Sequence, residues 1–360
     1  MAEQPLALLE NLPGYQKAFT DLALWAPFVR LVVKRRTGRE PDVLRVPVPG
    51  TYPTFIADDS LVIKFFGRLF DGAEAYSAEV ETARLLDLDP VLPAPRLLGS
   101  GQLIESGPDW HWPYLIFDCI PGSSIGEVYD QVPLAEKLRL AGWLGACVRR
   151  LHHLPLPANA HFSPRWDAYR DFLARQRAAC LENHQAWKTL PAHFTAELPD
   201  YLSPLDELIP AGEAPHLIHA DLTCDHILGR WEGENWQPLS IIDFGDARVG
   251  SLYYELAALH LDLFAGDTRL LRAWLAGYAG SNPPSKIAPR LALSTALLHQ
   301  FDVLRGVFVR RPELASLPNL TALADALWNV ETENQPVEPP DEPPDEPPDG
   351  TSTGSRPGST

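Results

Sequence analysis

The chain has 360 residues, of which 45% are hydrophobic, and its formal net charge is -17. A chain of this length and composition can bury a sizeable core and is expected to divide into two lobes, while its negative charge disfavours nucleic acids as partners. Because no apolar run approaches the ~20 residues that span a bilayer and no secretory signal opens the chain, the sequence predicts a cytoplasmic protein without a membrane partner.

Residues 1–43 are predicted to form a helical N-terminal extension. Apolar side chains recur there at steps of three and four residues, which is the spacing of one face of a helix. They are Leu22, Trp25, Phe28, Val29 and Val32. The pattern indicates a helical element ahead of the first strands.

The next segment, residues 44–117, has the alternating pattern of antiparallel strands. The run LRVPVPGTYPTFIADDSLVIKFF is broken by two turns and predicts three strands. Lys64 lies inside the third strand, where a lysine is unfavourable unless its ammonium group reaches a partner; on an isolated strand it would be an exposed edge residue. The helical run AYSAEVETARLLDL follows, and its Glu79 is the preferred partner of Lys64, with Glu81 as the competing carboxylate.

A second lobe is predicted from residue 118 to residue 330. The strand HWPYLIFD ends at Asp118, and PGSSIGE then breaks the pattern. Beyond it, LAEKLRLAGWLGACVRRLHHL has the spacing of an amphipathic helix, and further helical runs separated by prolines make this lobe mainly helical. The four cysteines have no CxxC spacing and are predicted to be reduced thiols.

Residues 331–360 form the last predicted segment. They contain the repeated unit EPPD and then a run rich in Gly, Ser and Thr. A segment of this composition cannot bury enough apolar surface to order itself, so the sequence predicts a disordered, acidic, proline-rich tail.

Two acidic motifs, HADLTCDH and IIDFGD, stand close together in the second lobe. Each places an aspartate, Asp221 or Asp243, just after a short apolar run that predicts a buried strand. A carboxylate at the end of a buried strand is costly unless it meets a cation, a metal ion or several hydrogen-bond donors. The pair therefore suggests a polyanion held through a metal ion.

The order of these features resembles the aminoglycoside phosphotransferase branch of the protein-kinase-like fold. A strand lobe with an embedded lysine is followed by a helix with a glutamate, a short connector, a helical lobe and the two acidic motifs. The spacing from Asp221 to His226 equals that from the kinase catalytic aspartate to its metal-ligand asparagine. The resemblance implies an α+β, bilobal fold, with an antiparallel β-sheet and one helix in the N-lobe, residues 44–117, and a mainly helical C-lobe, residues 118–330.

The resemblance also implies a role for each candidate residue. Asp221 would be the catalytic residue that accepts or orients the proton of the substrate hydroxyl, and Asp243 would bind the Mg²⁺ that bridges the phosphates. Lys64, fixed in position by Glu79, would hold the α- and β-phosphates of ATP or GTP.

Two further groups complete the implied site. The nucleobase would meet backbone groups from Asp118 to Ile120. His219 is expected to brace the catalytic loop by hydrogen bonds without touching the substrate. After Asp243 the sequence has no room for an activation loop, which argues against a regulated protein kinase.

His226 departs from the family pattern, which usually has asparagine as the second metal ligand. Imidazole suits transition metals better than Mg²⁺. Three possibilities stay open: one ion held mainly by Asp243, a site that tolerates Mn²⁺, or a protonated His226 that contacts phosphate directly. Glu255 and Asp262, on the following helix, are either an acidic rim for a cationic substrate or carboxylates that brace the loop.

The predicted function is transfer of the γ-phosphate of ATP or GTP to a hydroxyl group of a small molecule, with aminoglycosides as one candidate class. The same scaffold serves other metabolites, and the fold alone does not select among them. The alternative, motivated by His226, is a nucleotide-binding pseudoenzyme or regulatory module with weak or no transfer activity.

Overall fold

The computed structural model describes residues 6–104, 110–158, 161–210, 212–279 and 287–330. The predicted tail, residues 331–360, lies outside the described residues. In the described part of the chain, no helix combines the length and the apolar character needed to cross a membrane.

Five antiparallel strands form the first sheet, in the order β1-β2-β3-β5-β4. They are β1 (Leu44–Arg45), β2 (Thr54–Ala57), β3 (Leu61–Phe65), β4 (Leu97–Gln102) and β5 (Pro113–Asp118). The three antiparallel strands predicted from Leu44 onward are present. Lys64 lies on β3, paired in register with Thr54 and Leu115. Since β3 has a neighbouring strand on each side, Lys64 is not an edge residue.

One face of this sheet is covered by N-terminal helices. A short 3-10 helix, Ala7–Glu10, precedes α1 (Leu12–Ala18) and α2 (Leu22–Thr37). The Trp25 ring on α2 is fully buried and lies 5.8 Å from the ring of Phe55 and 4.8 Å from that of Phe65. Truncating a buried tryptophan to alanine costs about 3–5 kcal/mol. The N-terminal helices are therefore an integral part of this half of the fold.

The other face of the sheet carries α3 (Gly72–Leu86), the helix predicted to contain Glu79. Side chains alternate between the two faces of a strand. Ile63 and Phe65 consequently pack with the N-terminal helices, while Lys64 points towards α3. This alternation brings a lysine and a helix glutamate to the same face.

The rest of the described chain is mainly helical, with two small antiparallel sheets, β7–β10 and β6–β8–β9, that flank the acidic motifs. The strands are β6 (Ser123–Ser124), β7 (His216–Ile218), β8 (Ile227–Glu232), β9 (Asn235–Ile241) and β10 (Arg248–Gly250). The helices are α4 (Ile125–Val128), α5 (Leu134–His152), α6 (Trp166–Trp187), α7 (Ala192–Tyr201), α8 (Leu205–Leu208), α9 (Leu252–Ala258), α10 (Thr268–Ala279), α11 (Pro289–Leu297), α12 (Arg305–Arg310) and α13 (Leu320–Trp328). Short turns of 3-10 helix span Tyr129–Gln131, Cys224–His226, Phe244–Asp246 and Pro312–Ser316, and α9 continues as a π-helical turn, Leu259–Leu263.

An antiparallel sheet with its own helix, followed by a mainly helical part, is the α+β architecture that the sequence predicted, and this prediction is confirmed. The boundaries between the extension and the two lobes stay predictions. For the site, the important consequence is that β3, α3 and the two acidic motifs converge.

Candidate active site

Lys64 lies at the centre of a buried ion-pair cluster. Its ammonium nitrogen contacts Oε1 of Glu79 and lies 2.8 Å from Oδ1 of Asp243. Glu81 instead pairs with Arg84 at 3.2 Å, near the surface. Of the two glutamates that the sequence left as alternatives, the structure places Glu79 next to Lys64.

The electrostatics of this cluster favour a charged Lys64 and a charged Asp243. Burial alone would lower the pKa of Lys64, but the Asp243 and Glu79 carboxylates outweigh it and raise that pKa. Burial would raise the pKa of Asp243, but Lys64 and then His226 hold it well below its usual range. Burial raises the pKa of Glu79 to about 7, against the attraction of Lys64. The cluster thus holds a fixed ammonium group beside a carboxylate that stays ionised at neutral pH.

The loop HADLTCDH is braced by the buried ring of His219. Nε2 of His219 lies 2.9 Å from the carbonyl oxygen of Ile242, and its Nδ1 accepts a hydrogen bond of 3.3 Å from the backbone N–H of Asp221. A carbonyl oxygen can only accept, so Nε2 carries the proton and Nδ1 is free to accept. His219 therefore links the backbone of Asp221 to the residue that precedes Asp243, which is the bracing role expected for it.

Two carboxylates on the following helix hold the same loop. Glu255 on α9 is fully buried, and its Oε2 accepts a hydrogen bond of 2.6 Å from the N–H of His219. Asp262 accepts one of 2.9 Å from the N–H of Cys224. Since a fully buried carboxylate cannot meet a substrate, the acidic-rim alternative is wrong for Glu255. Both residues brace the loop.

Asp221 and His226 form a half-buried pair beside Asp243. Nδ1 of His226 lies 2.5 Å from the carbonyl oxygen of Asp221 and 3.8 Å from its carboxylate. Burial raises the pKa of Asp221 to about 7, although His226 opposes it. Burial would lower the pKa of His226, but Asp243 and Asp221 outweigh it and raise that pKa. A carboxyl group that titrates near neutral pH is suited to accept and release a proton.

The donor atoms of this region fit a metal ion that takes most of its ligands from phosphate. Because Nδ1 of His226 donates to a carbonyl oxygen, Nε2 keeps its lone pair in the neutral ring. Oδ1 of Asp243 is engaged by Lys64, whereas Oδ2 faces Gly50, whose hypothetical Cβ would be 4.0 Å from it. No cluster of three or more His, Cys, Asp or Glu side chains in the described ranges could hold a metal ion by itself. One or two protein ligands together with phosphate oxygens is the usual arrangement for Mg²⁺.

These groups line a cleft of about 450 Å³ that also reaches the predicted nucleobase position. Its lining includes Lys64, Asp221, Asp243, Asp118 and Ile120. The Asp118 carboxylate is engaged by Arg96, at 2.6 Å from the backbone N–H and 3.0 Å from Nε, and the N–H of Asp118 donates to the carbonyl of Arg96. The N–H of Ile120 has no hydrogen-bond partner among the described residues. Of the predicted backbone groups, it is the donor available to a nucleobase.

A contact that the sequence did not reveal ties the loop over the cleft to the N-terminal helices. The hydroxyl of Tyr15, on α1, donates a hydrogen bond of 2.8 Å to the carbonyl oxygen of Thr51. Thr51 follows Gly50, and the ring of Tyr52 lies 5.4 Å from the Lys64 ammonium. No local pattern signals this contact, because its partners are 36 residues apart. The loop is thus held over the cleft by a residue of the extension.

Replacing Tyr15 by phenylalanine should raise the KM for the nucleoside triphosphate about fivefold. The substitution removes only the hydroxyl, and one hydrogen bond of this kind contributes about 1 kcal/mol. Steady-state kinetics measure the effect. Tyr76→Phe is the matched control, because the Tyr76 hydroxyl makes no hydrogen bond to the described residues. An unchanged KM in Tyr15→Phe would show that the contact does not hold the loop in place.

Comparison with known proteins identifies the family. Residues 50–292, more than half of the chain, match the family described as the phosphotransferase enzyme family. The chain belongs to this family. The resemblance drawn from the two acidic motifs is therefore confirmed, and so is the predicted reaction class, that of a phosphotransferase.

Solved structures with the same fold include several aminoglycoside phosphotransferases. The GDP complex of wild-type aminoglycoside 2'-phosphotransferase-IIIa is 20% identical to this phosphotransferase, with a TM-score of 0.58 over 83% of this chain and 97% of that chain. The streptomycin-ATP-APH(2")-IIa ternary complex is 19% identical, with a TM-score of 0.51 over 74% of this chain and 84% of that chain. At these identities the comparison shows a shared fold.

A curated relative matches over part of its length. The lysine-specific demethylase JMJ21 of Arabidopsis thaliana is 22% identical over 275 residues, which are 61% of this chain and 29% of that protein. This phosphotransferase therefore spans less than a third of the length of that relative.

Proposed function

We propose that this phosphotransferase moves the γ-phosphoryl group of ATP or GTP to a hydroxyl group of a small molecule. The observation that supports this most directly is the convergence of Lys64, Asp221 and Asp243 on one cleft. Structures with the same fold contain GDP in one case and ATP with streptomycin in another. They support a nucleotide as the donor and a small molecule as the acceptor.

In this mechanism the hydroxyl oxygen of the acceptor attacks the γ-phosphorus. A new O–P bond forms, the bond from the γ-phosphorus to the β,γ-bridging oxygen breaks, and the nucleoside diphosphate leaves. The hydroxyl proton passes to the Asp221 carboxylate, whose loop is held by His219. Lys64 binds the phosphates and stabilises the charge that moves onto the leaving diphosphate.

Asp243 and His226 would hold the metal ion, Mg²⁺ or Mn²⁺, through Oδ2 and Nε2. When bound, the ion neutralises charge on the phosphates. The hydrogen bonds to Oδ1 of Asp243 and to Nδ1 of His226 orient both ligands. Because imidazole suits transition metals better than Mg²⁺, this pair should favour Mn²⁺ more than an aspartate–asparagine pair would.

Replacing His226 by asparagine is expected to raise activity with Mg²⁺ relative to Mn²⁺, on the order of tenfold. The amide oxygen is a harder ligand than an imidazole nitrogen. The ratio of kcat/KM values in the two metals is the measurement. A ratio that did not move would show that His226 is not a metal ligand, and would favour a direct contact of its protonated ring with phosphate.

The proposed function is tested by binding and turnover on the same preparation. Thermal-shift titrations with ATP or GTP, with Mg²⁺ or Mn²⁺, measure nucleotide binding. A nucleotide-consumption screen against hydroxylated amines, sugars and aminoglycosides then measures transfer. Binding without turnover of any acceptor would favour the pseudoenzyme that His226 brings into question, and no binding would contradict both functions.

A further inference from the structure

A second cavity, of about 670 Å³, lies on the other side of the turn that follows Asp243. Asp243 and Phe244 line the nucleotide cleft, whereas Gly245 and Arg248 line the second cavity. Helices α3 and α6 form its walls, and Gln300 completes its floor. A cavity of this size accommodates a small organic molecule. The nucleotide site described above does not use it.

The floor of the second cavity is close to Asp221. Nε2 of Gln300 donates a hydrogen bond of 2.6 Å to Oδ1 of Asp246, and the charge of Asp246 is one of the groups that raise the pKa of Asp221. The neighbouring His299 has its Nε2 3.0 Å from the carbonyl oxygen of Ala220. A molecule in this cavity can therefore direct a hydroxyl group towards Asp221.

Arg248 presents a guanidinium group that is already fixed in place. Its Nε donates to the carbonyl oxygen of Asp246 at 3.1 Å, its Nη2 donates to Oε1 of Gln300 at 3.4 Å, and its guanidinium carbon lies 3.9 Å from the centre of the Phe172 ring. Oδ1 of Asp246 is 4.0 Å from Nη2 and is itself engaged by Gln300. A guanidinium held in this way offers a fork of donors that matches a carboxylate or phosphate.

Arg175 adds a second guanidinium group to the same cavity. It follows Phe172 by three residues on α6, so both side chains project from the same face of the helix. Arg175 is exposed and has no ion-pair partner within the described part of the chain. It is free to turn towards a ligand that Arg248 holds.

The carboxylates of the cavity lie at its rim, and most of them are paired. Asp167 contacts Arg165, and Glu74 lies 3.5 Å from Nε2 of His161. Asp71 is exposed at the start of α3. Since the rim pairs cancel each other, the charge left at the floor is that of Arg248.

We propose that the acceptor is an acidic hydroxylated small molecule whose carboxylate or phosphate group is bound by Arg248 and Arg175. This substrate class rests on the proposed function and uses the same transfer to a hydroxyl group at Asp221. A polycation such as an aminoglycoside would meet two guanidinium groups in this cavity, and like charges brought together disfavour binding.

The test uses pairs of acceptors that differ in charge. Glycerate and glycerol 3-phosphate are compared with glycerol, gluconate is compared with glucitol, and kanamycin is the cationic acceptor. Nucleotide consumption by the full chain should show kcat/KM values about tenfold or more higher for the acidic member of a pair. The carboxylate and phosphate arms show which anion is preferred.

Variants then locate the effect. Arg175→Gln, which changes an exposed side chain, should raise the KM for the acidic acceptor several-fold with little change in kcat, and Arg248→Gln should do so more strongly. Arg248→Lys keeps the charge but loses the fork, so it should restore part of the affinity. Arg170→Gln is the matched control, because Arg170 lies on the same helix outside the cavity and pairs with Asp206.

Each outcome decides the proposal. A preference for neutral or cationic acceptors, or an acid preference that survives both arginine-to-glutamine changes, would overturn it while leaving the proposed function intact. If no acceptor were phosphorylated but gluconate stabilised the chain against heat through Arg175, the anion site would stand and the proposed function would fail. Neither turnover nor stabilisation by any anion would overturn both.

Discussion

Asparagine in place of Asp221 is expected to lower kcat by about 10²- to 10⁴-fold, the contribution of a well-placed general base. The amide has nearly the shape of the carboxyl group but cannot accept the proton of the acceptor. The contacts of Asp221 with His219 and His226 use its backbone N–H and carbonyl, so the variant should keep the loop conformation. Nucleotide binding, followed by thermal shift, should persist while turnover is lost.

A matched control removes a carboxylate elsewhere. Asp206 is exposed and pairs with Arg170, so Asp206→Asn should turn over at the wild-type rate. Normal phosphorylation by Asp221→Asn would sink the proposed mechanism. Loss of nucleotide binding together with turnover would instead assign Asp221 to binding and not to proton transfer.

The sequence predicted the parts of the site whose signals are local. Lys64 stands out because it interrupts an apolar strand, and Asp221 and Asp243 stand out because each follows a short apolar run at a spacing that the family shares. These features depend on strand periodicity and on distances of a few residues, which a single sequence records directly.

The choice between Glu79 and Glu81 shows where that information ends. The two residues lie about 200° apart around a helix, so only one can face the sheet, and the sequence does not fix how α3 is rotated against β3. The structure fixes it by tertiary packing. Glu79 is buried against Lys64, and Glu81 reaches Arg84 near the surface.

Contacts between distant segments were not predictable for the same reason. The hydroxyl of Tyr15 meets Thr51, and the Arg248 guanidinium stacks on Phe172, yet none of these residues belongs to a motif. Arg248 lies five residues after Asp243 in a segment that the sequence assigned only to the approach of a helix. Its place in a cavity depends on α6, which the chain adds between the first lobe and the catalytic loop.

Replacing Glu79 by glutamine is expected to lower kcat/KM for the nucleotide by about 100-fold and to destabilise the fold. Lys64 would be left with Asp243 as its remaining charged partner, so it would be drawn towards the carboxylate that has to bind metal. Breaking a buried ion pair by removing one partner costs about 3–5 kcal/mol. The glutamine side chain keeps the size of the glutamate, so the loss is electrostatic and leaves no cavity.

Glu81→Gln is the matched control for Glu79→Gln, since it makes the same chemical change two residues along the same helix. Glu81 pairs with an exposed arginine, and surface pairs of this kind contribute about 0–1 kcal/mol. Its kcat/KM should stay within about twofold of wild type. Equal losses in the two variants would mean that the helix as a whole matters and not the Lys64–Glu79 pair. A loss confined to Glu79→Gln, with thermal stability measured alongside to separate unfolding from mispositioning, would establish that Lys64 must be held from both sides to receive a nucleotide.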